Sequence, residues 1–525
     1  MGKPRLPNQK KAYKELSKRL AGYMMRVRNI YDRLNEKAAM LVESVGYDGL
    51  TEFSFDDYPE IEREVKLLLS QFVGELQTLI YSGTSSEWKS SNTFQDAVAD
   101  KALKYYRAQI HGYRFKHYYR DNGDQLKAFL QRKENGLNLS SKLWNQSGNY
   151  KDALEATIST AIEKGMSATA LSKNLSRYLN DWPSLQADYQ EKYGKATNIH
   201  DCEYRSLRLA RNEISMAYRS AEQARWQQFD FILGYKIKLS DSHPRYDICD
   251  DLTGDYPKDF KFRGWHPNCL CYTVPIVMSE DEYWSDNREN SPNKITAPPK
   301  NFGDWVDKSE NLERIGKANE RRTLPYWLRD NAKIKDCSVL MSKARTYGDA
   351  IQKQAETIAE KYNGIVTPIN YKSFSSMYRK LNSEKDMLVL DIKDSVRNTI
   401  VVEKENIDSV VKELQSLPTF DRYKSQTPEK FCGYSGNIIN LKMPNGIQAE
   451  IQVNTPKMIY ANETEENARK ILGNKVWEQI AKETGMQGGL GHKYYEEIRI
   501  LDEVKDMSKI AELTKLSKSY YAHFR

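Results

Sequence analysis

The chain of 525 residues has a mass of 61.0 kDa and is long enough for three or four domains. Its 80 basic and 72 acidic residues leave a formal net charge of +8, which permits contact with nucleic acid but does not require it. Six unevenly spaced cysteines argue against a secreted disulfide scaffold, and the absence of any run of about 18 apolar residues predicts no membrane span.

The first region, residues 1–135, is predicted to consist of long amphipathic helices. Apolar residues at three- and four-residue steps predict a helix over 8–44, and further helices are predicted over 58–82 and 94–133. The basic and aromatic run at 105–120 could stack bases and neutralise phosphates, which predicts a possible DNA contact. The alternative interpretation is a solvated helix face whose aromatic side chains lie in the core.

The second region, residues 136–278, begins with two predicted helices within 140–180 that are separated at Gly165, with Ser167 as the cap of the second. A helix over 203–229 and a strand over 232–239 are predicted to follow. His200 and Asp201 form an isolated pair with too few partners for a metal phosphohydrolase site.

The stretch from 241 to 272 contains an unusual concentration of histidine and cysteine, and we refer to it as the His/Cys knot. Imidazole nitrogen and thiolate sulfur are the ligands that zinc prefers, and a proline after each histidine favours an extended loop around a centre. The sequence therefore predicts a possible structural Zn²⁺ site, with Asp247 as a replacement ligand. The alternative is a turn-rich loop with buried thiols. The candidate ligands are His243, Cys249, His266, Cys269 and Cys271.

Several motifs between residues 130 and 278 resemble the minor head proteins of tailed phages, the Mu F-like head morphogenesis family. They are RLARNEI at 208–214, AY at 217–218, Trp226, GYK at 234–236 and HPNCLC at 266–271, which closes the knot. The resemblance implies a virion component near the portal, with portal and capsid proteins as partners in head assembly. It also implies a location in the phage head, and in the host cytoplasm during assembly and after delivery with the DNA.

The third region, residues 279–335, is rich in Asn, Pro, Asp, Glu and Lys, which is typical of a polar linker. A short helix is predicted between Leu312 and Arg322. The segment could be an extended tether between two domains or a strap over the first of them.

The fourth region, residues 336–525, alternates predicted helices and strands. Helices are predicted over 344–362, 375–381 and 407–417, and strands over 387–392, 397–403, 437–443 and 447–455. Asn445-Gly446 between the last two strands predicts a hairpin. The whole chain is therefore predicted to be multidomain, with mostly α-helical N-terminal and central regions, a small β/loop knot and an α+β C-terminal domain with a mixed sheet.

The last predicted strand separates two faces. Ile447, Ala449, Ile451 and Val453 share one face because side chains alternate with period two, and Gln448, Glu450, Gln452 and Asn454 share the other. A carboxylate on such a polar face is usually only solvated, so the argument for a site at Glu450 depends on its neighbours.

Those neighbours resemble the RelA/SpoT-like nucleotide pyrophosphokinase domain over about 340–500. The motifs occur in the family's order: KSFSSMYRK at 372–380, DSVR at 394–397, GY at 433–434, EIQ at 450–452 and GHK at 491–493, the last as in toxin-like members. The resemblance implies an effector that transfers pyrophosphate from ATP to the 3′-hydroxyl of a nucleotide or tRNA.

The resemblance also implies roles for individual residues. Asp394 and Glu450 hold Mg²⁺ with the phosphates of ATP, and Glu450 helps to deprotonate the attacking hydroxyl. Tyr434 stacks on the acceptor base. The remaining residues of the implied nucleotide- and phosphate-binding set are Lys372, Ser373, Lys380, Arg397, Gln452 and His492.

Two departures leave alternatives open. The family usually carries an arginine where Asn370 and Tyr371 stand, and its loop usually reads Asn-Gly-Tyr, whereas here Cys432 precedes Gly433. These differences are compatible with a changed acceptor or with an inactive domain on a purely structural minor capsid protein. A third interpretation is another toxin class, a nuclease or an ADP-ribosyltransferase, on the same scaffold.

Overall fold

The computed structural model describes residues 2–47, 51–108, 115–194, 201–384, 386–430, 432–444, 446–499, 501 and 506–525. The chain forms two compact units, Met1–Asn301 with Pro325–Asn331 and Phe302–Leu324 with Ala332–Arg525. The predicted fold class is confirmed, since the first unit is mostly helical with a small sheet and the second combines a mixed sheet with helices. Within the described ranges, no helix combines the length and the apolar character that crossing a membrane requires.

The first unit is built on long helices that bury a shared apolar core, with α1, α2 and α7 packed against one another. A three-stranded antiparallel sheet in the order β2-β1-β3 follows α7. The elements up to residue 284 are α1 Gln9–Glu43, α2 Pro59–Tyr105, α3 Gly123–Gln131, α4 Leu139–Glu163, α5 Ala168–Asn180, α6 Trp182–Tyr193, α7 Cys202–Gln228, β1 Ile232–Lys238, α8 Ile248–Asp251, β2 Gly254–Tyr256, β3 Tyr272–Val277 and α9 Glu280–Trp284.

Helix α2 runs unbroken through a stretch where the sequence predicts a gap between two helices, so the predicted helices over 58–82 and 94–133 are wrong as separate elements. The polar stretch between them faces the core. Glu87 pairs with Arg19 at 2.8 Å, and the indole of Trp88 donates to the carbonyl of Asp121 at 2.8 Å. These long-range contacts outweigh the weak helix propensity of the serine- and threonine-rich run.

Other predictions in the first unit are confirmed. α1 and α7 match their predicted ranges, and the break near Gly165 is present, with Ser167 accepting from the amide of Ala170 at 3.2 Å. Asp201 caps α7 by accepting from the amide of Tyr204 at 2.7 Å, whereas His200 lies outside the described residues.

The basic and aromatic run at 105–120 is described only in part, because 109–114 lie outside the described residues. Among the described side chains, Tyr106, Phe115 and Tyr118 are buried in the unit. This burial agrees with the interpretation of core aromatics, and DNA contact stays a prediction.

The segment predicted as a polar linker, 279–335, is divided between the two units. Within the first unit, the amide of Ile295 donates to the carbonyl of Leu233 at 3.0 Å. The predicted short helix is observed as α11, and the predicted domain boundaries at 135, 278 and 335 stay predictions. The elements here are α10 Lys300–Asp307, α11 Ser309–Glu320 and α12 Tyr326–Arg329.

The second unit is organised around a six-stranded mixed sheet. Its order is β4-β6-β9-β8-β7, with β5 also pairing β6; β6 and β9 are parallel, and the other pairs are antiparallel. The elements are α13 Ala332–Arg345, α14 Gly348–Glu360, β4 Ile365–Val366, β5 Asn370–Tyr371, α15 Phe374–Ser383, β6 Val396–Val401, α16 Ile407–Gln415, β7 Phe420–Gln426, β8 Gly436–Lys442, β9 Gln448–Asn454, α17 Pro456–Asn462, α18 Glu465–Leu472, α19 Asn474–Thr484, α20 Leu490–Arg499 and α21 Met507–Ala522.

Helices lie at both faces of this sheet. On the apolar face, Asn398 of β6 donates to Gln352 of α14 at 3.1 Å, and α16 packs beside α14. At the end of the opposite face, Val401 of β6 joins an apolar cluster formed by the C-terminal helices. Polar side chains occupy the middle of this opposite face, which we call the second face.

The structure departs from the predicted elements of the second unit in several places. The predicted strand over 387–392 is a 3-10 helix, Val389–Asp391, because the Asp391 carboxylate accepts from the amide of Leu388 at 2.9 Å and closes a turn. The predicted helix over 344–362 is observed as α14, but α13, which precedes it, was not predicted. Strand β7 was not predicted. The hairpin strands β8 and β9 are confirmed, although Asn445 of the turn lies outside the described residues.

Candidate active site

A row of polar side chains crosses the second face of the sheet at Glu450. Arg397 of β6 and Asn440 of β8 lie directly opposite Glu450 of β9, and Arg422 of β7 lies opposite Asn440. Directly opposed residues share a face, so these four side chains form one line across four strands. The predicted alternation in β9 is confirmed, but Glu450 is only 8% exposed and is not a solvated surface carboxylate.

Asp394 lies at the entrance to β6, held between two lysines. Its Oδ2 accepts from Lys372 Nζ at 2.5 Å, and its Oδ1 is 3.9 Å from Lys380 Nζ. Lys372 lies beside Asp394 because β5 pairs with β6 and the Lys372 amide donates to the carbonyl of Ser395 at 3.1 Å. Three chain segments therefore meet at this carboxylate.

The pKa values of the two carboxyl groups are shifted in opposite directions. Burial opposes the ionisation of Asp394, but the hydrogen bond from Lys372 and the nearby positive charges outweigh it, so the pKa of Asp394 is lowered. Burial raises the pKa of Glu450, and the negative charge of Asp394 raises it further. Lys372 and Arg397 act on both groups, which means that the two carboxylates face one cationic cluster. Environments that separate two such pKa values are typical of acid–base sites.

The polar face of β9 continues from Glu450 toward the C-terminal helices. Gln452 donates through Nε2 to Glu450 Oε1 at 2.7 Å, and Asn454 donates to the hydroxyl of Tyr434 at 2.7 Å. Tyr434 is half-buried, and burial raises its pKa to about 12. Its ring meets that of Tyr521 edge-on at 5.6 Å, so the loop before β8 is held by α21. Stacking of Tyr434 on a base stays a prediction.

Two predicted site residues make their contacts within their own helices. Ser373 caps α15 by accepting from the amide of Ser376 at 3.3 Å. His492 lies on α20 with Nε2 at 3.7 Å from Glu496, and its ring stacks on that of Tyr495. These contacts give Ser373 a structural role, and nucleotide binding by either residue stays a prediction.

The sequence analysis missed the contribution of β7 and β8 to this face. Lys424 lies two residues beyond Arg422, so both point to the face that carries Glu450. The exposed positive charges of this pair extend the basic surface away from Lys372. The spacing of Arg422 and Lys424 by two residues is the sequence pattern that could have indicated a shared strand face. However, the segment is recognisable as strand β7 only from its pairing with β8.

The donor set around Asp394 fits a divalent cation. Asp394 Oδ1 is buried and has no hydrogen-bond partner among the described residues, although Oδ2 is paired. A carboxylate oxygen with a free lone pair, a second carboxylate at Glu450 and the phosphate oxygens of a nucleotide are the ligands that Mg²⁺ takes. The residues present therefore fit the implied Mg²⁺.

In the first unit, the structure brings the cysteines of the His/Cys knot together. The ligand atoms of Cys249, Cys269 and Cys271 all lie within 4.8 Å of one another. His266 Nε2 is 3.1 Å from Cys249 Sγ, whereas His243 Nε2 is 3.0 Å from a carboxylate oxygen of Asp250. Zinc binding by this group stays a prediction.

Comparison with known proteins gives one curated relative. The chain is 36% identical over 184 residues to the (p)ppApp synthetase toxin Tas1 of Pseudomonas aeruginosa (strain UCBPP-PA14), and the match covers 34% of this chain and 41% of the relative. The chain thus spans less than half the length of that relative. A chain in the crystal structure of the complex between the Type VI effector Tas1 and its immunity protein is 34% identical, with 36% of this chain and 97% of that chain covered and a TM-score of 0.33. No profile of a protein family matches. About a third of the chain is therefore homologous to a (p)ppApp synthetase toxin.

Proposed function

We propose that the second unit is a Mg²⁺-dependent pyrophosphokinase toxin that transfers pyrophosphate from ATP to the 3′-hydroxyl of a nucleotide. The observation that carries the proposal is the geometry of the site, in which Lys372 pairs with Asp394 and Arg397 of β6 lies directly opposite Glu450 of β9. The homology supports the reaction class, because the matched relative is a (p)ppApp synthetase toxin. The name of the relative favours an adenine nucleotide as acceptor.

Each residue of the cluster has a defined task in this reaction. Lys372, Lys380 and Arg397 bind the negatively charged oxygens of the triphosphate. Mg²⁺, when bound by Asp394 and Glu450, supplies further neutralisation of phosphate charge.

The bond changes balance without another reactant. Glu450 takes the proton of the acceptor 3′-hydroxyl, and that oxygen forms a bond to the β-phosphorus of ATP. The bond between the β-phosphorus and the oxygen that bridges it to the α-phosphorus breaks, and AMP leaves with the bridging oxygen. A pKa above that of an exposed carboxyl suits Glu450 to accept this proton.

A purely structural second unit is the less favoured alternative. A buried carboxyl with a raised pKa near a second carboxylate lowers stability when it is ionised, and such groups are concentrated at functional sites. The assay described below decides between the pyrophosphokinase and the nuclease and ADP-ribosyltransferase alternatives.

The first unit is proposed to be a minor head protein that carries the toxin in a phage head and into the host cytoplasm. The support is the resemblance of its motifs, which end in HPNCLC at 266–271. Portal and capsid proteins are then its partners. Mass spectrometry of purified particles tests this role, since absence of the chain from DNA-filled heads contradicts it.

The enzymatic test uses the full chain with ATP, Mg²⁺ and one acceptor at a time: ADP, GDP, GTP or tRNA. Anion-exchange chromatography is expected to show AMP and a pyrophosphorylated acceptor in equal amounts, with adenine nucleotides used best. Absence of AMP with every acceptor contradicts the enzyme. Cleavage of RNA or consumption of NAD favours the other toxin classes.

A matched pair of variants separates the site from the rest of the unit. Glu450→Gln is expected to remove the activity. Glu413→Gln changes the same residue type on α16, where Glu413 pairs with Lys361 at the surface, and is expected to retain it.

A further inference from the structure

We propose that the first unit binds one Zn²⁺ ion through Cys249, Cys269, Cys271 and His266, and that this ion joins α8 to the loop before β3. The three thiols come from two segments that are twenty residues apart in the chain, and all three side chains are buried. Their sulfur atoms lie within 4.8 Å of one another. A site of this kind is independent of the sheet face in the second unit.

The spacing of the sulfur atoms fits two ligands of a single ion. Cys249 Sγ and Cys269 Sγ are 3.7 Å apart. Zn–S bonds of about 2.3 Å in a tetrahedron place neighbouring sulfur atoms roughly 3.8 Å apart. A disulfide requires about 2.05 Å and leaves the third thiol, Cys271, without a role. The observed separation is therefore that of co-ligands.

His266 is oriented as a metal-binding histidine. Its Nδ1 is 2.7 Å from the carbonyl oxygen of Pro267, and because a carbonyl can only accept, Nδ1 carries the hydrogen. In the neutral ring Nε2 then presents its lone pair, and this atom faces Cys249 Sγ at 3.1 Å. Metal-bound histidines typically donate their other ring N–H to a carbonyl in this way, which fixes the ring.

His243 and Asp247 are competing ligands, because their ligand atoms and that of Cys249 also lie within 4.8 Å of one another, but both already have other polar contacts. Asp247 Oδ2 is 3.2 Å from His266 Nε2, so two lone pairs face each other in the neutral state, and a cation next to them relieves that repulsion. His243 Nε2 is already 3.0 Å from Asp250, whose carboxylate also accepts from the amide of Asp247 at 2.8 Å. The choice of His266 as fourth ligand follows from this difference.

Charge balance gives independent support from helix α7. Three thiolates around Zn²⁺ leave one negative charge in a buried place, which needs a compensating cation. Arg219 is only 4% exposed and donates to the carbonyls of Cys269 at 2.8 Å and Cys271 at 2.9 Å. The buried Arg219 thus donates hydrogen bonds to the backbone of two proposed ligands, and its positive charge compensates the negative charge of the zinc–thiolate group.

The first test measures metal in the full chain carrying Glu450→Gln, which removes the proposed toxicity during production. Elemental analysis after purification without chelator, under reducing conditions, is expected to give one zinc per chain. Cys271→Ala and His266→Ala are expected to lose at least nine-tenths of it, and Cys337→Ala, a buried cysteine of α13, is expected to retain it. Absence of zinc from the parent chain, even after incubation with Zn²⁺, overturns the proposal.

A second test needs no variant of the knot, so misfolding does not obscure it. Exchange of zinc for Co²⁺ is expected to produce strong sulfur-to-cobalt charge-transfer bands and the intense visible bands of a tetrahedral site. Weak octahedral bands overturn the proposal, as does a disulfide between Cys249 and Cys269 found by mass spectrometry of the chain purified without reductant. Loss of metal in His243→Ala but not in His266→Ala overturns the assignment of His266.

Discussion

Replacing Glu450 with glutamine removes one negative charge from the sheet face and leaves the size of the side chain unchanged. The amide oxygen can still accept from Gln452, which donates to Glu450 Oε1 at 2.7 Å. The substitution therefore keeps the packing of β9 and removes only the base and the metal-binding charge.

Activity and stability are expected to change in opposite directions. Loss of a general base reduces the rate by about 10²–10⁴-fold, which corresponds to roughly 2.7–5.5 kcal/mol of barrier. Stability is expected to rise at neutral pH. The raised pKa of Glu450 means that the folded protein holds this proton more tightly than the unfolded chain does. The ionised carboxyl therefore destabilises the folded protein, and this cost reaches its full size at pH values above the raised pKa of Glu450. Glutamine has no charge and removes the cost.

The assay compares AMP release and thermal unfolding of both proteins across pH in the absence of metal and nucleotide. The stability gain is expected to be largest at neutral and alkaline pH. It should disappear when Glu450 is protonated, below its unfolded pKa. In the parent chain, activity should fall at acidic pH, because a protonated Glu450 can neither accept the proton of the hydroxyl nor bind Mg²⁺. A variant that keeps more than a tenth of the activity, or that is less stable at pH 8, refutes this reasoning.

Three further substitutions test the surroundings of the site. Asp394→Asn removes the partner of Lys372 and is expected to lower the free energy of unfolding by roughly 1–3 kcal/mol; because the pKa of Asp394 is lowered in the fold, this loss should shrink as the pH falls through that pKa. Gly433→Ala places a Cβ 2.6 Å from Lys518 Cα at a φ of +94°. Urea unfolding is therefore expected to show that the free energy of unfolding falls by roughly 1–3 kcal/mol. An unchanged unfolding midpoint contradicts the close approach. Cys432→Asn puts a residue that tolerates φ near +50° at this position and is expected to raise stability by roughly 0.5–1 kcal/mol; a lower melting temperature argues against backbone strain there.

The sequence predicted which face of β9 carries Glu450, because period two is a local property of a strand. It could not predict the burial of this carboxylate, because the pairing of β9 with β6, which sets Arg397 opposite Glu450, joins strands far apart in the chain. The family resemblance likewise implied that Lys372 and Asp394 belong to one nucleotide site, but their direct contact follows only from the pairing of β5 with β6.

The errors have physical causes of the same kind. The apolar run at 387–392 reads as a strand, but one side-chain bond from Asp391 to the amide of Leu388 closes a turn there. Strand β7 carries polar and charged residues on both faces and was missed, since only its pairing with β8 defines it. Helix α2 continues through a polar stretch because Glu87 pairs with Arg19 and Trp88 donates to the carbonyl of Asp121, both outside α2.

The most direct measurement follows the β-phosphorus of ATP. The full chain is incubated with Mg²⁺, an adenine nucleotide and ATP labelled at that phosphorus, and the label is located in the products. The account predicts that the label becomes bonded to the 3′-oxygen of the acceptor while unlabelled AMP forms in equal amount. Label that remains in ATP or ADP, or that is released as inorganic pyrophosphate, contradicts it.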